Sequence, residues 1–426
     1  MNHKLYKNIN LLFFLSTIIG LSIATINSAS IDVASAQQTT DGDITYLGVD
    51  MSGFHTRNPQ GRNPSYDLPA NYFEDSFRIL SEAGMNHVRF VLFWESYVKD
   101  PTSFMNELKA AANAADKWGI KVLYDNHQFH TSSWLNPQRG TGFPYSLFEN
   151  NPAYPFGGGG GTQFAAAQSW WTDWWNRSVK DANGSDGWTL LADFLKTIVT
   201  TVDAHESTIG YEILSEPQVH NVDQWEKVGN FNTLITNELR TLTQKTIAYS
   251  MNIPVDLTGP IGVNPENLAK MAPDNKTNVI FKVSLYGLPS PDTYQGDRLD
   301  TFIQAGRLAE VPLYFGEWNN VVRERSINEE GEVVTQISPE LSNINQTEAN
   351  LIVKTFKDND VWGMAYWQWN IDAHPIATYN LIRGVDATGA PQTTNYFDIL
   401  KNAYSSVYPE ITSRNATEIT SRNATR

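Results

Sequence analysis

No cysteine occurs among the 426 residues. That excludes a disulfide framework, a thiolate metal site and a cysteine nucleophile, and it leaves stability to a packed core. Runs of basic residues are missing too. The 31 Lys and Arg stand against 46 Asp and Glu, a formal charge of −15, which makes nucleic acid and anionic membrane surfaces poor partners. No Gly-rich phosphate fingerprint follows the first apolar run. The pentaglycine Gly157 to Gly161 follows no strand and lacks a Lys-Ser/Thr pair, so it reads as a flexible loop rather than a phosphate cradle. Nor does any cluster of carboxylates and histidines have metal-ligand spacing. The expectation is an enzyme without metal or cofactor.

Long hydrophobic runs are equally scarce. LLFFLSTIIGLSIA at residues 11–24 follows Lys4 and Lys7 and precedes Ala34-Ser35-Ala36, the pattern of a secretory signal over residues 1–36. An uncleaved anchor is the alternative, because the run is only slightly short for a membrane span. Six N-x-S/T sequons begin at Asn176, Asn183, Asn275, Asn345, Asn415 and Asn423. They suit a secreted or surface-exposed glycoprotein. Apart from the signal segment no membrane contact is expected, and the chain is expected to act as a monomer.

What the chain has in quantity is apolar and aromatic residues, 41% and 12% respectively, including 13 tryptophans. That many flat rings suggests some are placed for stacking on a ligand. After a short linker at 37–42, eight short apolar runs alternate with helix-periodic segments from about residue 43. They are TYLGVDM (45–51), HVRFVLFW (87–94), KVLYDNH (121–127), IGYEILSE (209–216), TIAYSMN (246–252), VIFKVSLYG (279–287), VPLYFGEW (311–318) and GMAYWQW (363–369). Continuous apolar character implies strands buried on both faces, as in a parallel sheet covered by helices. Eight such units in one domain, residues 43–405, predict a (β/α)₈ TIM barrel, in which chemistry sits at the C-terminal ends of the strands. A doubly wound open sheet competes, but the missing fingerprint argues against it.

The polar residues at those strand ends are Asp50, Arg89, Asn126 with His127, Ser215 with Glu216, Tyr286, Glu317, and Trp367 with Trp369. A carboxylate closing a buried strand is costly unless something uses it. Two of them across a barrel mouth, Glu216 and Glu317, can stand at the roughly 5 to 5.5 Å that a retaining glycosidase needs, one to attack the sugar and one to give and take a proton. Each could instead be paired with an arginine or a helix end. Two at the same face of one barrel favour chemistry.

LSEP at 214–217 and FGEW at 315–318, with VRF, DNH, SLYG and YWQW around them, resemble glycoside hydrolase family 5, the cellulase-like retaining barrel enzymes. The likeness covers about residues 43 to 405. It implies that Glu216 is the acid/base and Glu317 the nucleophile, and that Arg89 hydrogen-bonds the nucleophile and holds it ionised. It also implies that His127 holds sugar hydroxyls, that Tyr286 donates to the nucleophile, and that Trp367, or less plausibly Trp369, stacks on a pyranose. Two positions depart from the family. Ser215 stands where it has Asn, and Ser284 where it has His. Ser215, shorter than Asn, would reach a substrate 2-hydroxyl only through water.

Elsewhere, the loop from 128 to 187 is long enough to shape a binding site, and Trp134 within it is a candidate subsite ring. Trp170, Trp171, Trp174 and Trp175 make one helical stripe, read as core. His220 and Asp223 could extend the cleft or simply be solvated. The repeat TSRNATEI, TSRNATR marks a disordered tail over 406–426. The expected function is an endo-β-1,4-glucanase, with β-mannan or another β-glycoside as the alternative polysaccharide or oligosaccharide substrate. The rival from another class is a non-catalytic carbohydrate-binding glycoprotein on a hydrolase-like barrel.

Overall fold

The structure, a computed structural model, describes residues 45–57, 70–136, 140–149, 161–251, 262–289, 294–319, 323–327, 333–337, 345–369 and 380–413. The expected signal at 1–36, the linker at 37–42, most of the pentaglycine and the tail beyond 413 lie outside the described residues.

The expected strands form in order as β1 (Tyr46–Ser52), β2 (His87–Leu92), β3 (Lys121–Asn126), β4 (Thr208–Glu212), β5 (Thr246–Ser250), β6 (Val279–Tyr286) and β7 (Leu313–Asn319). An antiparallel hairpin follows, β8 (Arg323–Ile327) and β9 (Val333–Ile337), before β10 (Gly363–Tyr366). The barrel is closed and all parallel in the order β1-β10-β7-β6-β5-β4-β3-β2. A second small hairpin, β11 (Ile382–Val385) and β12 (Pro391–Thr393), completes the strands.

The periodic segments become helices α1 (Tyr72–Glu82), α2 (Trp94–Lys99), α3 (Pro101–Trp118), α4 (Gly161–Trp175), α5 (Gly187–Val202), α6 (Trp225–Arg240), α7 (Pro265–Ala269), α8 (Tyr294–Ala309), α9 (Gln346–Asp358) and α10 (Asn395–Val407). Local chemistry sets their ends. Asp100 caps α3 by accepting from the Ser103 N–H, Pro101 opens it, and Gly119 closes it in the left-handed region at φ 72°. Asn345 and Glu348 form a capping box on α9.

Two boundaries differ from expectation. The strand-four run stops at Glu212 rather than Glu216, because the chain turns away from the barrel wall there. The domain also continues past 405. Residues 409–413 are helical, and Tyr408 and Thr412 are buried, Thr412 against Gly84. Disorder therefore does not begin at 406.

Alternation along each strand sends one residue set outward under the helices and the other into the barrel. Leu123, Ala248, Ile280, Tyr314 and Ala365 make an apolar inner layer. Beside it His87 is wholly buried, with Nδ1 3.0 Å from the Lys121 carbonyl and Nε2 2.7 Å from the Tyr314 hydroxyl. A carbonyl only accepts, so the network assigns the proton to Nδ1.

Burial holds this imidazole down at about 3. The unfolded ring takes a proton near 6.5, so between those values the unfolded state binds more protons and stability falls as pH is lowered. From pH 7 to pH 5 the loss from this residue is about 2 kcal/mol. The His87→Gln variant should lose less unfolding free energy over that range, by this amount, in urea titrations. Equal slopes in the two proteins would refute a buried neutral His87.

Candidate active site

Above the apolar layer the barrel interior turns ionic. Arg89 on β2 is fully buried, and its guanidinium makes four hydrogen bonds and a further ion pair. Nε donates to Glu212 Oε2 at 2.7 Å, and Nη1 to Asp50 Oδ1 at 2.7 Å and Glu317 Oε1 at 3.1 Å. Nη2 reaches Asp125 Oδ2 at 2.9 Å and Ser215 Oγ at 3.0 Å. The arginine contact that the family resemblance implied is present, and it is one of several. Burial, against the pull of Arg89, lifts the Asp50 carboxyl well above the usual range. Burial would lower Arg89, but Asp125, Glu212, Asp50 and Glu317 together keep it charged.

Glu317 owes its inward aim to an irregularity. On β7, Tyr314 faces inward and Phe315 outward, where it stacks on Phe356 of α9 at 3.8 Å. Strict alternation would then turn Glu317 outward with Phe315. Instead Val283 of β6 pairs with Phe315 and Ser284 with Glu317, so Gly316 is an extra residue, a β-bulge. The bulge resets the alternation and brings Glu317 into the barrel, the kind of re-aiming for which bulges are used.

Once inside, the Glu317 carboxylate is held at both oxygens. Oε1 accepts from Lys282 Nζ at 2.8 Å and Arg89 Nη1 at 3.1 Å, with Ser215 Oγ at 3.4 Å. Oε2 accepts from the Tyr286 hydroxyl at 2.5 Å. Burial would raise its proton affinity, but Lys282 first and Arg89 second override burial and pull it far below the usual carboxylate range. Glu317 is an anion at any working pH.

Glu216 lies four residues beyond the end of β4, in a loop. Its φ of 48° places a non-glycine residue in the left-handed region, a local cost of about 1–3 kcal/mol. Neighbouring side chains hold it there. Ser250 Oγ at the end of β5 accepts its N–H at 3.0 Å, and Gln128 Nε2 donates to its carbonyl at 2.6 Å. Asn126 ties the same loop to β3, accepting the Ser215 N–H at 2.9 Å and donating to the Ile213 carbonyl at 2.8 Å. The Tyr286 hydroxyl is pushed well up by burial, then by Glu317 and Glu216, so both carboxylates act on one phenol.

His127 donates from Nδ1 to Asp125 Oδ2, 2.8 Å away, and its ring lies nearly parallel to Trp367 with centroids 5.4 Å apart. Trp367 is half-buried, and the Arg57 guanidinium covers its ring at 5.6 Å. Trp369, by contrast, is wholly buried. Its Nε1 reaches Ser76 Oγ at 3.1 Å and it packs on Phe397, so it is a wedge between barrel and helices α1 and α10 and not a sugar platform. Strand β10 ends at Tyr366, so the i, i+2 spacing of the two tryptophans no longer puts them on one face.

Ser215 is fully buried among Arg89, Lys282 and Glu317. It supports the carboxylates and does not reach the mouth. Trp134 is half-buried against Tyr145, centroids 4.4 Å apart.

The tryptophan stripe of α4 is core, as its spacing implied, but it also braces the site. Trp171 Nε1 donates to Thr131 Oγ1 at 2.9 Å and Trp175 Nε1 to the Gln218 carbonyl at 2.7 Å, pinning the loops after β3 and β4. His220 is buried beside Gln218 and held down at about 4 by burial, while Asp223 is exposed and pairs with Lys227. Among the described residues no group of His, Asp or Glu is disposed to hold a metal ion, and no helix is long and apolar enough to cross a membrane.

Three residues of the cluster were not singled out in the sequence: Asp125, Glu212 and Lys282. The two-residue period could have found two of them. Asp125 shares a face with His127, and Lys282 shares one with Ser284 and Tyr286.

The sequence model of the cellulase family, glycosyl hydrolase family 5, matches residues 49–373. A curated endoglycoceramidase of Cyanea nozakii is 26% identical over 176 residues, 34% of this chain and 33% of the relative; the match thus spans about a third of that protein's length. Among solved structures, an endogalactoceramidase superposes with a TM-score of 0.60 at 16% identity, covering 84% of this chain and 81% of that one. Endo-glycoceramidase II from Rhodococcus sp. does so with a TM-score of 0.58 at 15% identity, covering 84% and 78%. At such identities these structures speak to the fold.

Proposed function

The chain belongs to glycosyl hydrolase family 5, and on that premise we propose that it is a retaining glycosidase with Glu317 as nucleophile and Glu216 as acid/base. One observation carries the assignment. Glu317 is the carboxylate whose Oε1 is neutralised by two cations while Oε2, among the described residues, accepts from a phenol, Tyr286. Oε2 is then the oxygen that attacks the anomeric carbon as Glu216 gives its proton to the leaving oxygen. Water, deprotonated by Glu216, attacks the same carbon in the second step and returns the electron pair to Glu317. Trp367, held by His127 and Arg57, is the half-buried ring that we place beside the sugar.

For the substrate we infer a β-linked glycan carried on an apolar aglycone, in preference to the β-1,4-glucan expected from sequence. The relatives named above support this, as do the exposed rings of Phe129 and Tyr145 in the long loop after β3. Exposed asparagines at sequons 176, 183, 275 and 345 fit a protein that works outside the cell.

The experiment is a panel of lactosylceramide, β-1,4-glucan, β-mannan and aryl β-glycosides, with the anomer of the first product followed by NMR. Release of the β-anomer, fastest from the lipid-linked sugar, is expected. Binding without release would favour the carbohydrate-binding alternative, and an α-anomer would sink the double-displacement reading.

A further inference from the structure

Lysine is the most unexpected residue in the interior of this barrel. Lys282 on β6 is wholly buried, and its three N–H groups go to Glu317 Oε1 at 2.8 Å, Ser284 Oγ at 2.9 Å and Ser215 Oγ at 3.2 Å. Two of these three partners are the positions where the chain departs from its family. Room for the side chain comes from a third small residue. A Cβ on Gly316 would stand 2.6 Å from Lys282 Cγ and 2.8 Å from Cε. The lysine, the two serines and the bulge glycine are therefore one device. Larger side chains at 215, 284 or 316 would displace the ammonium, and without the ammonium both serine oxygens would lose a donor.

The hydrogen-bond inventory of Ser215 makes the same point. Its lone pairs accept from Arg89 and Lys282, which leaves its O–H for Glu317. That serine is committed to the nucleophile's oxygen and has nothing left for a sugar.

We propose that Lys282 is a positioning residue that sets the basicity of Glu317, making it a weakly basic nucleophile and a good leaving group from the glycosyl-enzyme. This inference rests on the proposed role of Glu317. In the first step the C1–O bond to the aglycone breaks as the bond from Oε2 to C1 forms. In the second, water's oxygen bonds to C1, its proton goes to Glu216, and the C1–Oε2 electron pair returns to a carboxylate that Lys282 and Arg89 stabilise. The second cation therefore favours breakdown of the intermediate and keeps Glu317 ionised far into acid.

Other charges face this pair. Asp50 comes from β1, Arg89 from β2, and Asp125 with His127 from the end of β3. Glu212 lies 3.9 Å from Lys282, with Glu216 beyond it and Tyr286 on the same strand as the lysine. All remain in a Lys282→Met variant, so a change in Glu317 reports the missing ammonium.

The test compares wild type with Lys282→Met and Lys282→Gln on an aryl β-glycoside. The acid limb of kcat/KM, which reports the free enzyme's essential groups, should move up by about one pH unit or more on losing an adjacent cation. The variants should also release aryl alcohol in a burst as the glycosyl-enzyme accumulates. A limb that coincides with wild type in a folded variant overturns the inference. If neither variant folds, Ser284→Ala, which loosens the ammonium but leaves its charge, should move the limb in the same direction by less, and an unmoved limb is again fatal. Should wild type hydrolyse nothing, the function proposed above fails separately. Carboxyl ¹³C titration of Glu317 in wild type and variant then decides the inference, an unshifted Glu317 overturning it.

Discussion

Glu317→Ala is expected to lower turnover by about 10⁴-fold or more, the scale on which a catalytic nucleophile is missed. Sodium azide should restore part of the rate. Truncation opens a space where Oε2 stood, and Arg89 and Lys282, which held the lost charge, remain to draw a small anion into it. Azide attacking from that side gives a glycosyl azide of inverted configuration. Glu216→Ala should behave differently. Aryl glycosides with good leaving groups need no acid, so their first step survives, and azide then attacks the intact glycosyl-enzyme from the opposite face to give the retained product. Circular dichroism should show both variants folded, since Lys282 still has Glu212, Ser215 and Ser284 around it after Glu317 is gone. Undiminished hydrolysis by Glu317→Ala, or the same azide anomer from both variants, would remove these residues from their roles.

The barrel was legible because strands buried on both faces are continuous apolar runs, and eight of them separated by periodic helices leave few other architectures. The ends of those strands were less so. GYEILSE reads as one run, yet pairing stops at Glu212, since Ser250, Gln128 and Asn126 pull the following residues into a loop. That loop is stabilised by contacts remote in sequence, which periodicity does not record. Glu317 was found by its place at a strand end, while the bulge that turns it inward shows only in the pairing of β6 with β7. The hairpin β8–β9 had a local signal, a glycine between two alternating segments in RSINEEGEVVTQ, that went unread. Lys282 shows the deeper limit. A lysine in an apolar strand has little local explanation: of its three partners only Ser284 shares β6, while Glu317 comes from β7 and Ser215 from the loop after β4.

Arg89→Met should be the most destabilising single change in the barrel. A guanidinium in contact with four carboxylates is replaced by a side chain of similar length with no donor, and Asp50, Asp125, Glu212 and Glu317 all lose their shared cation. Breaking one buried ion pair costs about 3–5 kcal/mol; here several carboxylates are stranded together, with Lys282 touching only Glu317 and, at 3.9 Å, Glu212. Stranded carboxylates lower that cost by taking up protons. Their folded affinities rise above the unfolded ones, so the native variant binds more protons than the unfolded chain and stability falls as pH rises. The variant's urea midpoint should therefore climb as pH is lowered from about 7 to 5, more steeply than any such trend in wild type. Arg89→Lys retains the charge but supplies three donors where Arg89 makes four hydrogen bonds, so it should recover only part of the loss and less of the pH response. A methionine variant as stable as wild type at neutral pH, or one without the reversed slope, would show that the carboxylate ring is held together by something other than Arg89.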